Sequence, residues 1–212
     1  MRRFGVVLVL LVGLFGASSV ADEPFSEFSE SLLTGAERYA WQQPREVVRM
    51  LSIRSGERVA EIGAARGFFT EQLAARVGEN GRAYAIETDP EMISTLEEML
   101  ARYGDSRGVV VKATEDDLAL PGDLDMVFTA NTWHHIKDRN AKREAVQASL
   151  KPGGRFVIID WRTEECSFAP PVDHRLARKD LIAEMEADGW KLTTDARLLQ
   201  YQYFLVFTPP RN

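Results

Sequence analysis

Short apolar runs alternate with amphipathic segments along most of the chain, from residue 56 onward. Continuous apolar runs are typical of buried strands, and apolar positions three and four residues apart are typical of helices. The runs predicted as strands are Val59–Ile62, Ala83–Glu87, Gly108–Lys112, Leu124–Thr129 and Arg155–Asp160. The segments predicted as helices are Phe68–Val77, Pro90–Tyr103, Asp138–Leu150 and Leu176–Asp188.

The regular alternation of strand and helix predicts an α/β fold with an open parallel sheet covered by helices on both faces. Two further strands, Trp190–Arg197 and Gln200–Thr208, follow each other without a helix between them. Strands joined so closely pair antiparallel, because a parallel pair needs a long crossover. The predicted fold class is therefore a doubly wound, mostly parallel, seven-stranded Rossmann-like sheet with a C-terminal antiparallel hairpin.

The first 21 residues differ from the rest of the chain. Arg2 and Arg3 precede the apolar run Phe4–Phe15, and the small residues of Ser19–Ala21 follow it. This pattern is typical of a secretory signal peptide cleaved after Ala21, so we expect a periplasmic or secreted protein without membrane contact after cleavage. The alternative is an uncleaved membrane anchor, although the apolar run is shorter than the roughly 20 residues that a span needs.

The patterns divide the chain into three parts: a signal peptide at 1–21, an N-terminal helical cap at 22–55 and the α/β domain at 56–212. The cap is predicted to contain helices at about Ser26–Leu33 and Pro44–Leu51. Pro44 suits the first turn of a helix, where its missing N–H costs no hydrogen bond.

Composition excludes several classes of partner and site. The formal charge is -6 and the basic residues form no cluster, so no nucleic-acid partner is predicted. Cys166 is the single cysteine, which excludes an internal disulfide and a cysteine-rich metal site. We predict no metal site, and nothing in the sequence indicates an oligomeric state.

The segment Glu57–Thr70 combines a buried strand, a turn of small residues and the start of a helix. Such a junction lets the backbone approach a ligand and presents free N–H groups. Dinucleotide-binding folds need Gly-x-Gly-x-x-Gly, but the three positions here are Gly63, Ala65 and Phe68. A phosphate-binding Gly-Lys-Ser/Thr is also absent. A nicotinamide-using oxidoreductase is therefore the least favoured interpretation.

Residues 61–67, read as Glu-Ile-Gly-Ala-Ala-Arg-Gly, resemble the acidic-x-Gly-x-Gly-x-Gly motif of class I S-adenosylmethionine-dependent methyltransferases. Ala65 stands where the motif has its middle glycine. The resemblance implies that S-adenosylmethionine is the cofactor and that Glu61, Gly63, Ala65 and Gly67 surround its methionine part. The carboxylate of Glu61 suits that part, which carries an ammonium and a sulfonium group.

Two further segments resemble motifs of the same family. Tyr84–Pro90 places an acid, Glu87, at the end of the second strand, and the resemblance implies that Glu87 accepts both ribose hydroxyls of the cofactor. Thr114–Pro121 resembles the loop that grips adenine. Asp116 is the preferred carboxylate for the adenine amino group, with Glu115 as the alternative.

The loop after the fourth strand passes, in this family, beside the methionine end of the cofactor and toward the acceptor. The resemblance implies a cofactor contact for Asn131 in this loop. His134 and His135 are neighbours whose side chains are expected to diverge, so a shared metal is not predicted. His135 is the candidate general base, with a pKa near neutrality. Trp133 is predicted either to line an apolar pocket or to pack in the core.

Residues 45–208 resemble the methyltransferase family, and Glu164–Leu181 looks like exported bacterial methyltransferase-domain proteins of unassigned substrate. Methyl transfer depends mainly on positioning and shielding, so few catalytic side chains are expected, with Asp160 and Trp161 as further candidates. The predicted function is methyl transfer from S-adenosylmethionine to a small-molecule acceptor. The alternative is an inactive methyltransferase-like fold that binds another small molecule or a protein, because Ala65 and Arg66 occupy the glycine loop and the export signal separates the chain from the cytosol.

Overall fold

The computed structural model describes residues 36–103, 107–164 and 166–210. Within these residues the strands are β1 (Arg58–Ile62), β2 (Arg82–Glu87), β3 (Gly108–Lys112), β4 (Leu124–Ala130), β5 (Leu150–Trp161), β6 (Lys191–Ala196) and β7 (Gln202–Thr208). The α-helices are α1 (Ala36–Gln42), α2 (Pro44–Met50), α3 (Thr70–Val77), α4 (Pro90–Tyr103), α5 (Arg139–Ser149) and α6 (Arg178–Ala187). Two 3₁₀ turns lie at Trp133–His135 and Val172–His174.

The strands form one seven-stranded sheet in the order β3-β2-β1-β4-β5-β7-β6. The pairs from β3 through β5 are parallel, whereas β7 runs antiparallel to both β5 and β6. The strand order reverses between β1 and β4, and ligands bind in the crevice that such a reversal opens at the carboxyl edge of a sheet. The topology confirms the predicted doubly wound sheet and its C-terminal hairpin.

Several elements differ from the predictions by a residue or two at their ends, and three differences bear on the architecture. The helix α3 begins at Thr70 rather than Phe68, because Gly67 has a left-handed φ of 85° and the chain is still turning there. The strand β5 begins well before Arg155, because Leu150 pairs with Leu124 of β4. The helix α1 lies in a segment for which no helix is predicted.

Two apolar layers cover the faces of the sheet and hold its carboxyl edge in place. On one face, α2 and α3 bury Val47, Val48 and Leu73 against strand residues that include Phe128 and Phe204. The other face carries a second cluster, to which α5 and α6 contribute Val146, Leu181 and Met185. Burial of a large apolar side chain contributes about 1.5–3 kcal/mol. These layers therefore fix the strand ends from which the functional loops leave.

The N-terminal predictions are only partly covered by the structure. The predicted signal peptide at 1–21 and the predicted helix at Ser26–Leu33 lie outside the described residues. The helix α2 confirms the prediction of a helix that starts at Pro44. Val47 and Val48 of α2 pack in the same apolar core as residues of the sheet. The predicted division of the chain at residue 56 stays a prediction. Among the residues described, no helix is long and apolar enough to cross a membrane.

Candidate functional site

A cavity of about 410 Å³ opens at the carboxyl edge of β1 and β2. Small-molecule pockets typically measure about 300–1,000 Å³. The walls come from the loops after β1, β2, β3 and β4 and from the first turn of α5. Four residues that the sequence predicts for the site line this cavity, namely Gly63, Glu87, Asp116 and His135. The other four, Glu61, Ala65, Gly67 and Asn131, do not line it.

Gly63 brings the loop after β1 against the loop after β4. Its φ is +73°, and a Cβ atom at this position would lie 2.2 Å from Thr132 Oγ1. Its N–H donates to the carbonyl of Ile86, at 2.9 Å, at the end of β2. Both the left-handed backbone and the close approach of Thr132 therefore require glycine here.

Gly67 serves packing and does not line the cavity. Its φ is +85°, and a Cβ atom would lie 2.4 Å from Cε of Met99 in α4. Its missing side chain lets α4 pack against the glycine loop. The predicted place of Gly67 beside the methionine part of the cofactor stays a prediction.

Ala65 adopts the conformation that its position in the motif demands. Its φ is +48°, which costs a residue with a Cβ atom about 1–2 kcal/mol. Its N–H donates to Oε2 of Glu87 at 2.8 Å, so this loop is tied to the tip of β2. Arg66 directs its guanidinium to within 3.9 Å of the Glu91 carboxylate on α4. Neither Ala65 nor Arg66 lines the cavity.

Glu87 anchors three backbone N–H groups, in two segments of the chain, through its carboxylate. Besides the N–H of Ala65, the carboxylate accepts the N–H groups of Thr88 at 2.7 Å and Asp89 at 3.1 Å, both on Oε1. A carboxylate has about four acceptor sites. One site on Oε2 therefore stays available without loss of a backbone bond. This geometry suits one ribose hydroxyl directly, rather than the two that the sequence predicts.

Glu61 lies beneath the glycine loop, where its side chain is almost fully buried. Its Oε2 accepts a hydrogen bond from the Thr70 hydroxyl at 2.6 Å. Burial raises the pKa of Glu61 to about 8, and the nearby Glu87 adds to the rise, whereas the Thr70 hydrogen bond and the positive charge of Arg38 oppose it. Arg38 reaches this region from α1, with its guanidinium carbon 3.8 Å from the centroid of the Phe68 ring. Most of the Glu61 population is therefore neutral at pH 7.

The loop after β3 forms the far end of the cavity. Asp116 and Glu115 both line it and are exposed, so both carboxylates that the sequence proposes are available there. The third acid, Asp117, is used within the loop, where Oδ1 accepts the N–H of Ala119 at 2.8 Å. Lys142 of α5, which also lines the cavity, donates to the carbonyl of Asp116 at 2.5 Å and fixes the loop.

Asn131 links three strands of the sheet by hydrogen bonds and does not line the cavity. Its φ is +59°, its N–H donates to the carbonyl of Ile159 at 3.0 Å, and its Oδ1 accepts from the amide of Gln202. These contacts tie the end of β4 to β5 and β7. Trp133, next but one along the chain, is fully buried, with its ring 4.9 Å from that of Phe156. Of the two predicted roles for Trp133, the structure therefore supports packing.

The two neighbouring histidines face each other, with ring centroids 3.9 Å apart. The prediction that their side chains diverge is wrong, because they lie in a 3₁₀ turn, where successive side chains are about 120° apart rather than on opposite faces. Among the residues described, no three His, Cys, Asp or Glu side chains are arranged to hold a metal ion.

His135 lines the cavity, but its basicity differs from that expected of a general base. Burial lowers the pKa of His135 to about 4, and the neighbouring His134 and His174 add to the decrease, whereas Asp160 opposes it. The ring is therefore neutral at physiological pH. His134 contacts Asp160 instead, with Nδ1 2.7 Å from Oδ1 of the carboxylate.

Two residues that line the cavity, Thr132 and Lys142, are not among those predicted from the sequence. Thr132 belongs to a loop that the pattern does identify, but its contact with Gly63 depends on how β1 and β4 pair. Lys142 lies on the first turn of α5, and no motif marks it. Its connection to Asp116 spans 26 positions of the sequence and arises only from the fold.

Residues 60–156 match a protein-family model described as a methyltransferase domain. The matched range contains the glycine loop, Glu87, the loop after β3 and the two histidines. Among curated proteins, the chain is similar to the ubiquinone/menaquinone biosynthesis C-methyltransferase UbiE of Marinomonas sp. (strain MWYL1), with 23% identity over 141 residues. The matched part covers 66% of this chain and 55% of that relative, so the chain spans about half the length of the curated relative.

Solved structures share the whole fold. A SAM-dependent methyltransferase from Aquifex aeolicus superposes with a TM-score of 0.79 at 25% identity, covering 86% of this chain and 98% of that one. The glycopeptide N-methyltransferase MtfA complexed with sinefungin superposes with a TM-score of 0.65 at 14% identity, covering 89% and 99%. The chain therefore has the Rossmann-like fold of class I methyltransferases.

Proposed function

We propose that this protein binds S-adenosylmethionine in the cavity and transfers its methyl group to a small-molecule acceptor. The observation that carries the proposal is that Gly63, Glu87 and the loop after β3 line one cavity at the point where the strand order reverses. Ligands of open α/β sheets bind at such a point. The match to a methyltransferase domain over residues 60–156 supports the same cofactor.

The residues of the cavity fit the chemistry of this cofactor. Gly63 offers a backbone without a side chain beside the methionine part, and the remaining acceptor site of Glu87 suits a ribose hydroxyl. A planar adenine matches the apolar wall formed by Ile86, Ala113 and Leu118. The exposed carboxylate of Asp116, or that of Glu115, would accept the adenine amino group.

The cofactor would supply an activated methyl group on a sulfonium whose thioether is a good leaving group. The protein then has to orient the acceptor and exclude water. A neutral His135 suits the cavity wall, because an imidazolium would repel a sulfonium. The alternative of an inactive fold rests on Ala65 and Arg66 and on the predicted export signal. Neither Ala65 nor Arg66 lines the cavity, so the first ground is weakened.

Calorimetric titration of the purified protein, expressed from the full chain, tests the proposal. We expect S-adenosylmethionine and S-adenosylhomocysteine to bind and NAD not to bind. The absence of both a binding heat and a thermal shift with the two sulfur ligands would overturn the proposal. Binding of NAD alone would instead favour an oxidoreductase.

Export of the protein is a further part of the proposal, supported by the basic, apolar and small-residue pattern of residues 1–21. We propose that the mature protein begins at Asp22 in the periplasm or the medium.

A further inference from the structure

Lys142 is a charged side chain buried in the wall of the cavity. It lines the cavity from the first turn of α5, and the residue is only 6% exposed. Its Nζ donates to the carbonyl of Asp116 at 2.5 Å. Among the residues that the structure describes, no carboxylate forms an ion pair with it. Because lysine is almost never so deeply buried without a partner for its charge, the position of Lys142 needs an explanation.

The ammonium group of Lys142 has more donors than the surrounding residues use. An ammonium carries three N–H donors and no acceptor. One donor is taken by the Asp116 carbonyl, and the described part of the chain offers no acceptor to the other two. Two donors are therefore left for a ligand at the end of the cavity that the loop after β3 forms.

The charges of the cavity wall favour a neutral ligand group as the acceptor. Glu115, Asp116 and Asp138 line the cavity and are exposed, and Glu87 lines it as well. An anionic group placed beside Lys142 would be repelled by these carboxylates, since like charges a few ångströms apart repel each other. A neutral nitrogen or oxygen with a lone pair meets no such repulsion.

The loop after β3 uses several of its own backbone donors internally. The N–H of Thr114 donates to the carbonyl of Asp117 at 2.8 Å, and the N–H of Asp117 donates to the Thr114 hydroxyl at 3.0 Å. The N–H of Ala119 donates to the Asp117 carboxylate at 2.8 Å. These three groups cannot bind a ligand while the loop keeps this conformation, whereas Lys142 supplies donors at the same end of the cavity.

We propose that Lys142 recognises the adenine ring of the cofactor by donating a hydrogen bond from Nζ to N1 or N7, the two ring nitrogens that flank the amino group. This inference rests on the proposed binding of S-adenosylmethionine.

The hydrogen-bonding pattern of adenine matches this corner of the cavity. The ring is neutral, its amino group donates, and the adjacent ring nitrogens accept. The exposed carboxylate of Asp116 suits the amino group. The ammonium of Lys142, bonded to the backbone of the same residue, suits the nitrogen beside it. Asp116 and Lys142 together therefore read a donor and an acceptor that are neighbours on the purine.

Calorimetric titration with analogues of S-adenosylhomocysteine tests the inference. The 1-deaza, 3-deaza and 7-deaza analogues each replace one ring nitrogen by a C–H group. We expect the affinity of the wild-type protein to fall about tenfold for the 1-deaza or the 7-deaza analogue, which corresponds to the loss of about one hydrogen bond. The 3-deaza analogue is the internal control, because N3 does not flank the amino group. Its affinity relative to S-adenosylhomocysteine should not depend on Lys142.

Three variants separate recognition from a structural role. Lys142→Met keeps an unbranched side chain but has no donor, and we expect it to bind S-adenosylhomocysteine and the sensitive analogue with equal affinity. If Lys142 acted only by holding the Asp116 carbonyl, its loss would weaken all four ligands by the same factor. Lys142→Arg keeps a charged donor and should retain part of the discrimination. The matched control Lys137→Met removes an exposed ammonium from the same wall and should retain all of it.

The inference is overturned if the wild-type protein binds S-adenosylhomocysteine and both the 1-deaza and 7-deaza analogues equally, a comparison that needs no variant. It is also overturned if the discrimination persists in Lys142→Met. Lys142 would then serve only to hold the loop after β3. Failure of S-adenosylhomocysteine itself to bind the wild-type protein is a different result, which would overturn the proposed function and this inference with it.

Discussion

A Cβ atom placed on Gly63 would lie 2.2 Å from Thr132 Oγ1. Gly63 follows β1 and Thr132 follows β4, and these strands are neighbours at the point where the strand order reverses. Thr132 is itself held by a hydrogen bond from its hydroxyl to the carbonyl of Ala130 at 3.2 Å. The loops after β1 and β4 can therefore approach each other this closely only because residue 63 has no Cβ atom.

We expect Gly63→Ala to destabilise the fold by about 2–4 kcal/mol, from left-handed strain plus overpacking. The affinity for S-adenosylhomocysteine should fall as well, because Thr132 must move. Gly56→Ala is the matched control, since Gly56 also has a left-handed φ, of +94°, but no atom within 4 Å of its Cβ position. The free energy of unfolding is measured by chemical denaturation. An equal decrease for Gly63→Ala and Gly56→Ala would contradict a role for the Thr132 contact.

We expect Ala65→Gly to raise the free energy of unfolding by less than about 1 kcal/mol. Relief of the left-handed strain at φ 48° is partly offset by the larger entropy of glycine in the unfolded chain. The affinity for S-adenosylhomocysteine should change by less than about threefold, since a difference of 0.6 kcal/mol or less is expected for a side chain outside the cavity wall. Calorimetry that finds tenfold tighter binding would show that the methyl group does obstruct the cofactor. Ala64→Gly, at a buried site without a left-handed φ, should instead destabilise the protein.

We expect Glu87→Ala to weaken binding of S-adenosylhomocysteine by about 10- to 100-fold. The variant removes a charged acceptor, worth about 1.5–3 kcal/mol, and releases the N–H of Ala65 from the tip of β2. Glu91→Ala removes an exposed carboxylate from the adjacent helix and serves as control. Equal affinities for the Glu87 variant and the wild type would refute the ribose assignment.

Glu61 should make stability depend on pH. The pKa of Glu61 is about 8 in the folded chain, whereas the pKa of a free glutamate side chain is 4.5. Between these values the unfolded chain has lost the proton that the folded chain keeps, so stability falls as pH rises from about 4.5 to 8. Glu61→Gln should flatten this decline by a few kcal/mol over the window, because one pKa unit corresponds to about 1.4 kcal/mol. Urea denaturation between pH 5 and 8 measures how the free energy of unfolding changes with pH. The same dependence in the wild type and in Glu61→Gln would contradict the burial of an ionisable group.

The same carboxyl group should couple cofactor binding to proton release. A ligand that carries an ammonium and a sulfonium lowers the pKa of a nearby acid, as Arg38 already does for Glu61. Calorimetry of S-adenosylmethionine at pH 7 in two buffers of different ionisation enthalpy should therefore report a released proton, which Glu61→Gln abolishes. Proton release that persists in the variant would point to another group.

The N-terminal prediction is tested by mass spectrometry of the protein recovered from expressing bacteria. We expect a mature chain that begins at Asp22 outside the cytoplasm. Ala21→Phe should block processing, because signal peptidase reads small residues at the cleavage site. A wild-type chain that retains Met1 would favour the uncleaved anchor.

Local pattern determined the fold and part of the cavity wall. Apolar runs located every strand of the described sheet. They could do so because a strand buried in a core shows the same run of apolar residues wherever it lies in the chain. Glu87 and Asp116 were identified through the resemblance of the segments after β2 and β3 to motifs of the methyltransferase family. Such motifs place residues relative to their own strand only.

Contacts between distant segments were decided by the tertiary structure. The role of Gly67 follows from Met99 on α4, that of Asn131 from Gln202 on β7, and that of His134 from Asp160 on β5. In each case the partner arrives through the pairing of strands or the packing of a helix, so no spacing in the sequence encodes it. The sequence by itself therefore determined the order of strands and helices and the acid at the tip of β2. Only the folded chain decided that Glu61 is buried and neutral, that His135 is a weak base and that Lys142 lies buried in the cavity wall, because burial and electrostatic environment depend on all the segments that meet at one place.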